Sequence, residues 1–135
     1  MGVTKIGGPV DIAVSGLRAQ AARINVIATN IANASTSRTA SGEPYRRQDV
    51  QITATPGALA GVVVGKVIRD NTSDFRRVHI PGHPDADPSG YVRMPNVEVP
   101  TEMVSMVTAS RAYQANAAVL KRYQELIDVT IELLK

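Results

Sequence analysis

The stretch RRVHIPGHPDADPSGYV holds the residue types most able to do chemistry, His79, His83, Asp85 and Asp87. Imidazole and carboxylate groups gathered this closely could hold a divalent metal, and the metal could activate water for hydrolysis. The spacing matches no zinc pattern, and neither a His-Glu-x-x-His helix nor a second ligand cluster accompanies it. Its prolines and glycines describe a turn-rich loop in which Asp and His side chains bond turn backbone. Ser110, Arg111 and Tyr113 have no histidine or carboxylate at helical spacing to act as an activating base, so Ser110 reads as a small residue of a helix seam. No phosphate-cradling or dinucleotide-binding fingerprint occurs, and with no cysteine there is no thiolate chemistry. The expectation is no enzyme, no cofactor and no metal site.

Two long helices must frame these residues. From Val99, steps of four and three return Met103, Met106, Ser110, Tyr113, Ala117, Leu120, Gln124, Ile127, Ile131 and Leu134 to one face. Past Pro100, which suits a first turn, no proline or glycine follows, so the helix can run ~34 residues or ~50 Å. Such a length needs a partner helix, and the same spacing near the N-terminus gives Val10, Val14, Leu17, Ala21, Ile24, Ala28 and Ile31. The spacing predicts an antiparallel coiled coil of a helix from about Asp11 to Ala34 with the C-terminal one. Ile12, Ile27, Val104, Val107, Val119 and Leu126 fall outside both seams and are expected to meet helices of neighbouring subunits. Asn25 and Asn30 near the seam would fix register, and Asn33 would end the first helix. Arg111 is expected to find a carboxylate or carbonyl on another helix, and Tyr113 to bury its ring in the seam.

Between the helices, ASTSRTASGEPYRR reads as a loop. Alternation through Val50, Ile52 and Ala54 and the valine-rich run from Leu59 to Arg69 predict a two- or three-stranded antiparallel piece. With one Phe and no Trp, this piece must rest on the helices or on a neighbour. The fold class is therefore mainly α, divided as an N-terminal helix in residues 1–34, a β/loop-rich outer segment in 35–96 and a C-terminal helix in 97–135.

The formal charge of +3 comes mostly from arginines such as Arg46-Arg47 and Arg76-Arg77, with no lysine block or base-stacking aromatic series. Nucleic acid is not the expected partner. The opening MGVTKIGGP lacks the apolar core of a secretory signal, and no stretch is long and apolar enough to span a membrane. The chain either stays inside or leaves by a route without a cleavable signal.

The segments SGLRAQAARINVIATNIANAST, PYRRQDV and PGHPDADPSGYVRMPNVEVPTEMVSMVTASRAYQANAAVLK resemble the bacterial flagellar basal-body rod proteins. The central PGHPDAD with GYV is similar to those of the proximal rod. The resemblance implies a structural subunit, exported unfolded by the flagellar type III apparatus and built into the hollow axial rod of the basal body. It implies partners among copies of itself, homologous rod subunits, the export apparatus and adjoining basal-body proteins. The terminal helices would form the inner tube and the middle segment would face outward. Leu17, Asn25, Asn30, Ile31 and Asn33 match the amino-terminal signature, while Glu102, Met103, Met106, Ala109, Arg111, Ala112, Tyr113, Ala115 and Asn116 match the carboxy-terminal one. Ile24, Leu120 and Ile127 join them from the apolar spacing. The alternative is a soluble coiled-coil adaptor or export chaperone, which would form a low-order oligomer instead of an extended array.

Overall fold

Two helices of unequal length carry the architecture, with four short strands inserted between them. The computed structural model describes residues 8–57 and 61–134, in the order α1 (Pro9–Ala32), β1 (Gln48–Ala54), β2 (Val62–Arg69), β3 (Arg76–His79), β4 (Tyr91–Met94) and α2 (Val99–Leu133). The lead in residues 1–7, Leu59 at the expected start of the second strand, and Lys135 lie outside the described residues.

Both helices start with a proline in the first turn, where the missing amide hydrogen costs nothing, and with an acidic residue favoured by the helix dipole, Asp11 in α1 and Glu102 in α2. Asn33 closes α1, its backbone N–H reaching back to Thr29 and Asn30 and its side-chain amide donating to Thr29 O at 2.9 Å. α2 then runs 35 residues without a breaker.

The helices are antiparallel. Near the start of α1, Gly16 faces Asn116; near its end, Asn30 bonds Glu102. Gly16 permits this approach, because a Cβ there would come within 2.9 Å of the Asn116 side chain. The contacting face corrects the expected seam. Glu102, Ala109 and Asn116, spaced by heptads on α2, look toward α1, whereas Met103, Tyr113 and Ile127 of the apolar stripe remain 58%, 40% and 44% exposed. On α1 the buried side chains are Ala13, Ala19, Ile27 and Asn30. The reason is physical: close helix approach selects small and specifically paired residues, and a one-residue step on a helix turns the face by ~100°. Ile27, expected on the outer band, is buried within the chain, while Val104, Val107, Val119 and Leu126 are exposed.

The expected antiparallel piece is present as two strands, β1 and β2, and a second, separate hairpin of β3 and β4 accompanies it. β1 and β2 pair antiparallel from Gln48↔Arg69 to Ala54↔Val62, with an irregularity between Val50 and Ile52. β3 and β4 pair antiparallel from Arg76↔Met94 to His79↔Tyr91. The PGHPDADPSG loop turns the second hairpin, and β3 and β4 are too short and too charged to show a period of two in the sequence. The first hairpin rests on α1, where Ser15 Oγ donates to Ile12 O and accepts from Val62 N at 3.0 Å. Its Val50, together with Val92, Pro95 and Val97 of the second hairpin and the lead into α2, is buried. The segment thus extends the helix packing and has no large-aromatic core of its own.

Candidate functional site

The most fully connected set of side chains lies where the end of α1, the start of β1 and the first turn of α2 meet. Asn30 is 0% and Glu102 1% exposed. Asn30 Oδ1 accepts from Tyr45 Oη and from the Gln48 amide, both at 2.9 Å, and its Nδ2 donates to Gln48 O at 2.8 Å and to Glu102 Oε2 at 3.0 Å. The Arg47 guanidinium donates through Nε to Glu102 Oε1 at 2.6 Å and places Nη1 3.6 Å from Asp49. The Arg47 amide donates to Asn96 Oδ1 at 2.8 Å, and Asn96 Nδ2 donates to Asp70 O at 3.2 Å.

Every polar group at this junction finds a partner, as burial demands. Its electrostatics follow. Burial is the main cause that raises the Tyr45 hydroxyl above its ordinary pKa; the nearby Glu102 charge adds to it and Arg69 opposes it. Burial alone would lower Arg47, but the hydrogen bond and charge of Glu102, with Asp49 and Asp70, outweigh it and raise the guanidinium. A buried pair of this kind adds less net stability than orientation, because each charge has lost its water. The arrangement can fix angles between elements. It contains no nucleophile set against a base.

A second cluster braces the outer segment. Arg46 and Arg93 place their guanidinium carbons 4.2 and 4.8 Å from the centre of the Phe75 ring, and Arg46 also donates to Asp70 O and Ser73 O. Asp70 is held well below the usual carboxylate range, first by the Ser73 hydroxyl and then by Thr72 and the two backbone amides.

The His/Asp loop takes the turn arrangement. Asp87 Oδ1 accepts from the Tyr91 and Ser89 amides at 2.9 Å, and Oδ2 pairs with Arg77 at 2.7 Å; the Tyr91 amide is the main cause that lowers its pKa. His83 Nδ1 accepts from the Asp85 amide at 3.1 Å, and His79 packs on the Tyr91 ring with centroids 4.9 Å apart. Asp85 reaches across to Ser37 Oγ at 2.7 Å and Arg38 at 2.9 Å, tying the loop to the segment after α1. Gly82 and Gly90 take positive φ values of 88° and 79°. Among the described residues no group of three His, Cys, Asp or Glu side chains is placed to hold a metal ion.

Of the residues singled out in the sequence, Asn30, Glu102 and Asn116 meet their partner helix within the chain. Leu17, Ile24, Ile31, Met106 and Leu120 are half-buried, and Asn33 caps α1. Asn25, Met103, Arg111, Tyr113 and Ile127 are exposed. Neither the Arg111 guanidinium nor the Tyr113 hydroxyl has a partner among the described residues, so the carboxylate or carbonyl expected for Arg111 is absent from this chain's other helix. Sequence reasoning missed Arg47, Tyr45 and Asn96. The only signal was an arginine pair opening a strand.

Comparison with known proteins gives two family matches. Residues 11–38 match the family described as flagella basal body rod protein, and residues 89–133 match the C-terminal family of flagellar basal body rod FlgEFG proteins. The chain is 48% identical over 126 residues to the flagellar basal-body rod protein FlgC of Yersinia enterocolitica, covering 91% of this chain and 93% of the relative. It is 47% identical over 126 residues to FlgC of Escherichia coli O157:H7, with the same two coverages. With FlgC of Bacillus subtilis it shares 34% identity over 145 residues, covering 93% of this chain and 96% of the relative.

Proposed function

The chain belongs to the FlgC family of flagellar basal-body rod proteins and is a structural subunit of the rod, and from that premise we propose that it polymerises through its terminal helices into the hollow axial tube. The carrying observation is the apolar surface left on α2, from Met103 at 58% exposure to Leu133 at 82%, which a lone chain cannot cover. Neighbouring subunits would bury it. Met103, Met106, Tyr113, Leu120 and Ile127 are assigned to that packing as a coiled coil, with Leu17, Ile24, Asn25 and Ile31 on α1 and Arg111 meeting a neighbour's acceptor. Asn30, Asn33, Glu102 and Asn116 are assigned to holding the helix pair in register.

The division at 1–34, 35–96 and 97–135 then has a functional sense: tube, outer segment, tube. Its neighbours are copies of the chain, homologous rod subunits and adjoining basal-body proteins, and among the described residues no helix is long and apolar enough to cross a membrane. We assign delivery to the flagellar export apparatus, unfolded and without a cleaved signal. Polar junctions and small-residue helix contacts suit a chain that must thread and refold, because much of its apolar burial is completed only on assembly.

Replacing Leu120 by Asp tests this reading, since a carboxylate would enter the subunit contact. The variant should be exported but absent from isolated basal bodies. Normal incorporation of L120D would contradict assembly through this face.

A further inference from the structure

The antiparallel pairing leaves α2 longer than its partner. With Gly16 beside Asn116 and Asn30 beside Glu102, the start of α1 at Pro9 falls near Tyr123. Beyond that point about ten residues of α2, or ~15 Å, have no α1 alongside. Every described residue from Lys121 onward is exposed. One face of this overhang carries Gln124, Ile127, Asp128 and Ile131, at i, i+3, i+4 and i+7. The side-chain polar groups of Gln124 and Asp128 have no partner among the described residues.

A groove of about 440 Å³ opens elsewhere on the molecule, between α1, α2 and the start of β1. α2 lines it with Ser105, Ala109 and Ala112 beside the larger Val104 and Thr108, Ile27 lines it from α1, and Arg47 and Asp49, themselves 3.6 Å apart, line it from the β1 side. On the α1 wall stand Gln20 and Arg23, one turn apart. The Gln20 side-chain oxygen is shut away from solvent and accepts no hydrogen bond, although buried acceptors are seldom left so. The Arg23 guanidinium has no carboxylate or carbonyl partner among the described residues.

We propose that this groove receives the overhanging end of α2 from a second copy of the chain, with Ile127 and Ile131 against Ser105, Ala109 and Ala112, Asp128 on Arg23 and the Gln124 side chain beside that of Gln20. The match is specific in order as well as in type. Laid parallel to α1, the incoming helix presents an amide, a carboxylate and an isoleucine in the sequence in which the wall presents Gln20, Arg23 and Ile27. The overhang and groove lie at different places on the chain, so the contact is head-to-tail. Such contacts propagate into a helical array instead of closing as a pair. The proposal rests on the reading of the chain as a polymerising rod subunit and names the faces that join two copies.

The chain has no cysteine, which makes disulfide trapping clean. The full chain carrying both Ser105→Cys and Ile131→Cys should, when concentrated and oxidised, give a ladder of covalent trimers and higher species. Either single variant stops at dimers. Adding Arg23→Glu or Asp128→Arg should cut the ladder about tenfold, because like charges then face each other, and combining both should restore it to within about twofold. Circular dichroism of each variant checks that helix content is kept. Dimers alone from the double-cysteine chain, or a charge swap no better than its single changes, would overturn the contact. A ladder made only with a homologous rod subunit present would also overturn it, since the occupant would then be that subunit. Incorporation into basal bodies is scored separately: a chain found there without the ladder leaves the rod reading standing, and a chain missing there with the ladder intact removes that reading alone.

Discussion

Arg47 Nε lies 2.6 Å from Glu102 Oε1, joining residues 55 apart in the chain, and the carboxylate it meets is 1% exposed. Through this pair the residue just before β1 grips the first turn of α2. The Asn30 amide holds the other carboxylate oxygen.

Breaking the pair from one side should be costly. Arg47→Ala leaves the buried Glu102 without its cation, and because the Arg47 side chain is itself 28% exposed the loss expected is at or below the lower end of the ~3–5 kcal/mol of fully buried pairs. Arg47→Met with Glu102→Leu should recover a large part of it. Urea unfolding of the three chains measures both effects, and an Arg47→Ala change with an unaltered midpoint would refute the pair's structural weight.

At Gly16 the helix preference and the packing oppose each other. Alanine is favoured over glycine within a helix by ~1 kcal/mol, yet its methyl would press on the Asn116 side chain at 2.9 Å. Gly16→Ala should therefore destabilise the chain or leave it unchanged, while Gly16→Ala with Asn116→Ala should exceed Asn116→Ala alone in stability. A double-mutant cycle by thermal unfolding reads the difference.

The two hairpin carboxylates should resist acid. Asp87 is lowered by the Tyr91 amide and Asp70 by the Ser73 hydroxyl, so each favours folding above the ordinary carboxylate pKa of ~3.9 and loses that contribution as pH falls through its lower folded value. Carboxyl resonances of Asp70 and Asp87 followed by NMR should titrate below that ordinary value. Midpoints at or above it would show that the turn hydrogen bonds do not persist in solution.

The loop at Pro81–Pro88 should be indifferent to divalent metal. His83 accepts a backbone amide and Asp85 is taken by Ser37 and Arg38, so binding a cation would require breaking contacts already made. Titration with zinc should leave the His79 and His83 ring resonances in place. Saturable shifts in both rings at one metal per chain would reassign them as ligands.

The existence and extent of both helices were legible, because a run of heptads free of proline and glycine has few other outcomes. Which face of each helix meets the other was not. Periodicity weights the largest apolar side chains and pointed to Met103, Tyr113 and Ile127, whereas the face that closes is Glu102, Ala109 and Asn116. Asn30 stood out as an amide inside a regular helix, and its side chain bonds β1, α2 and Tyr45 in the loop ahead of β1. Arg47 left no local trace of its role, since its partner is distant in sequence. The His/Asp turn was readable because proline, glycine and aspartate act on their immediate neighbours, and the separate pairing of β3 with β4 was not, because four charged or mixed residues carry too little period.

The chain leaves α1 and enters α2 at the same end of the helix pair, so the segment between them is tethered at both of its ends there. A torsional load applied to it therefore cannot be relaxed by swivelling about a single linker. The load is shared between the Ser15–Val62 contact on α1 and the junction of Asn30, Arg47 and Glu102, whose hydrogen bonds, charge-assisted at Glu102, run across the two points of attachment. The junction works as a spline between the helix pair and the β-rich segment, and its stiffness is set by directional bonds between side chains instead of by the bulk of a hydrophobic core.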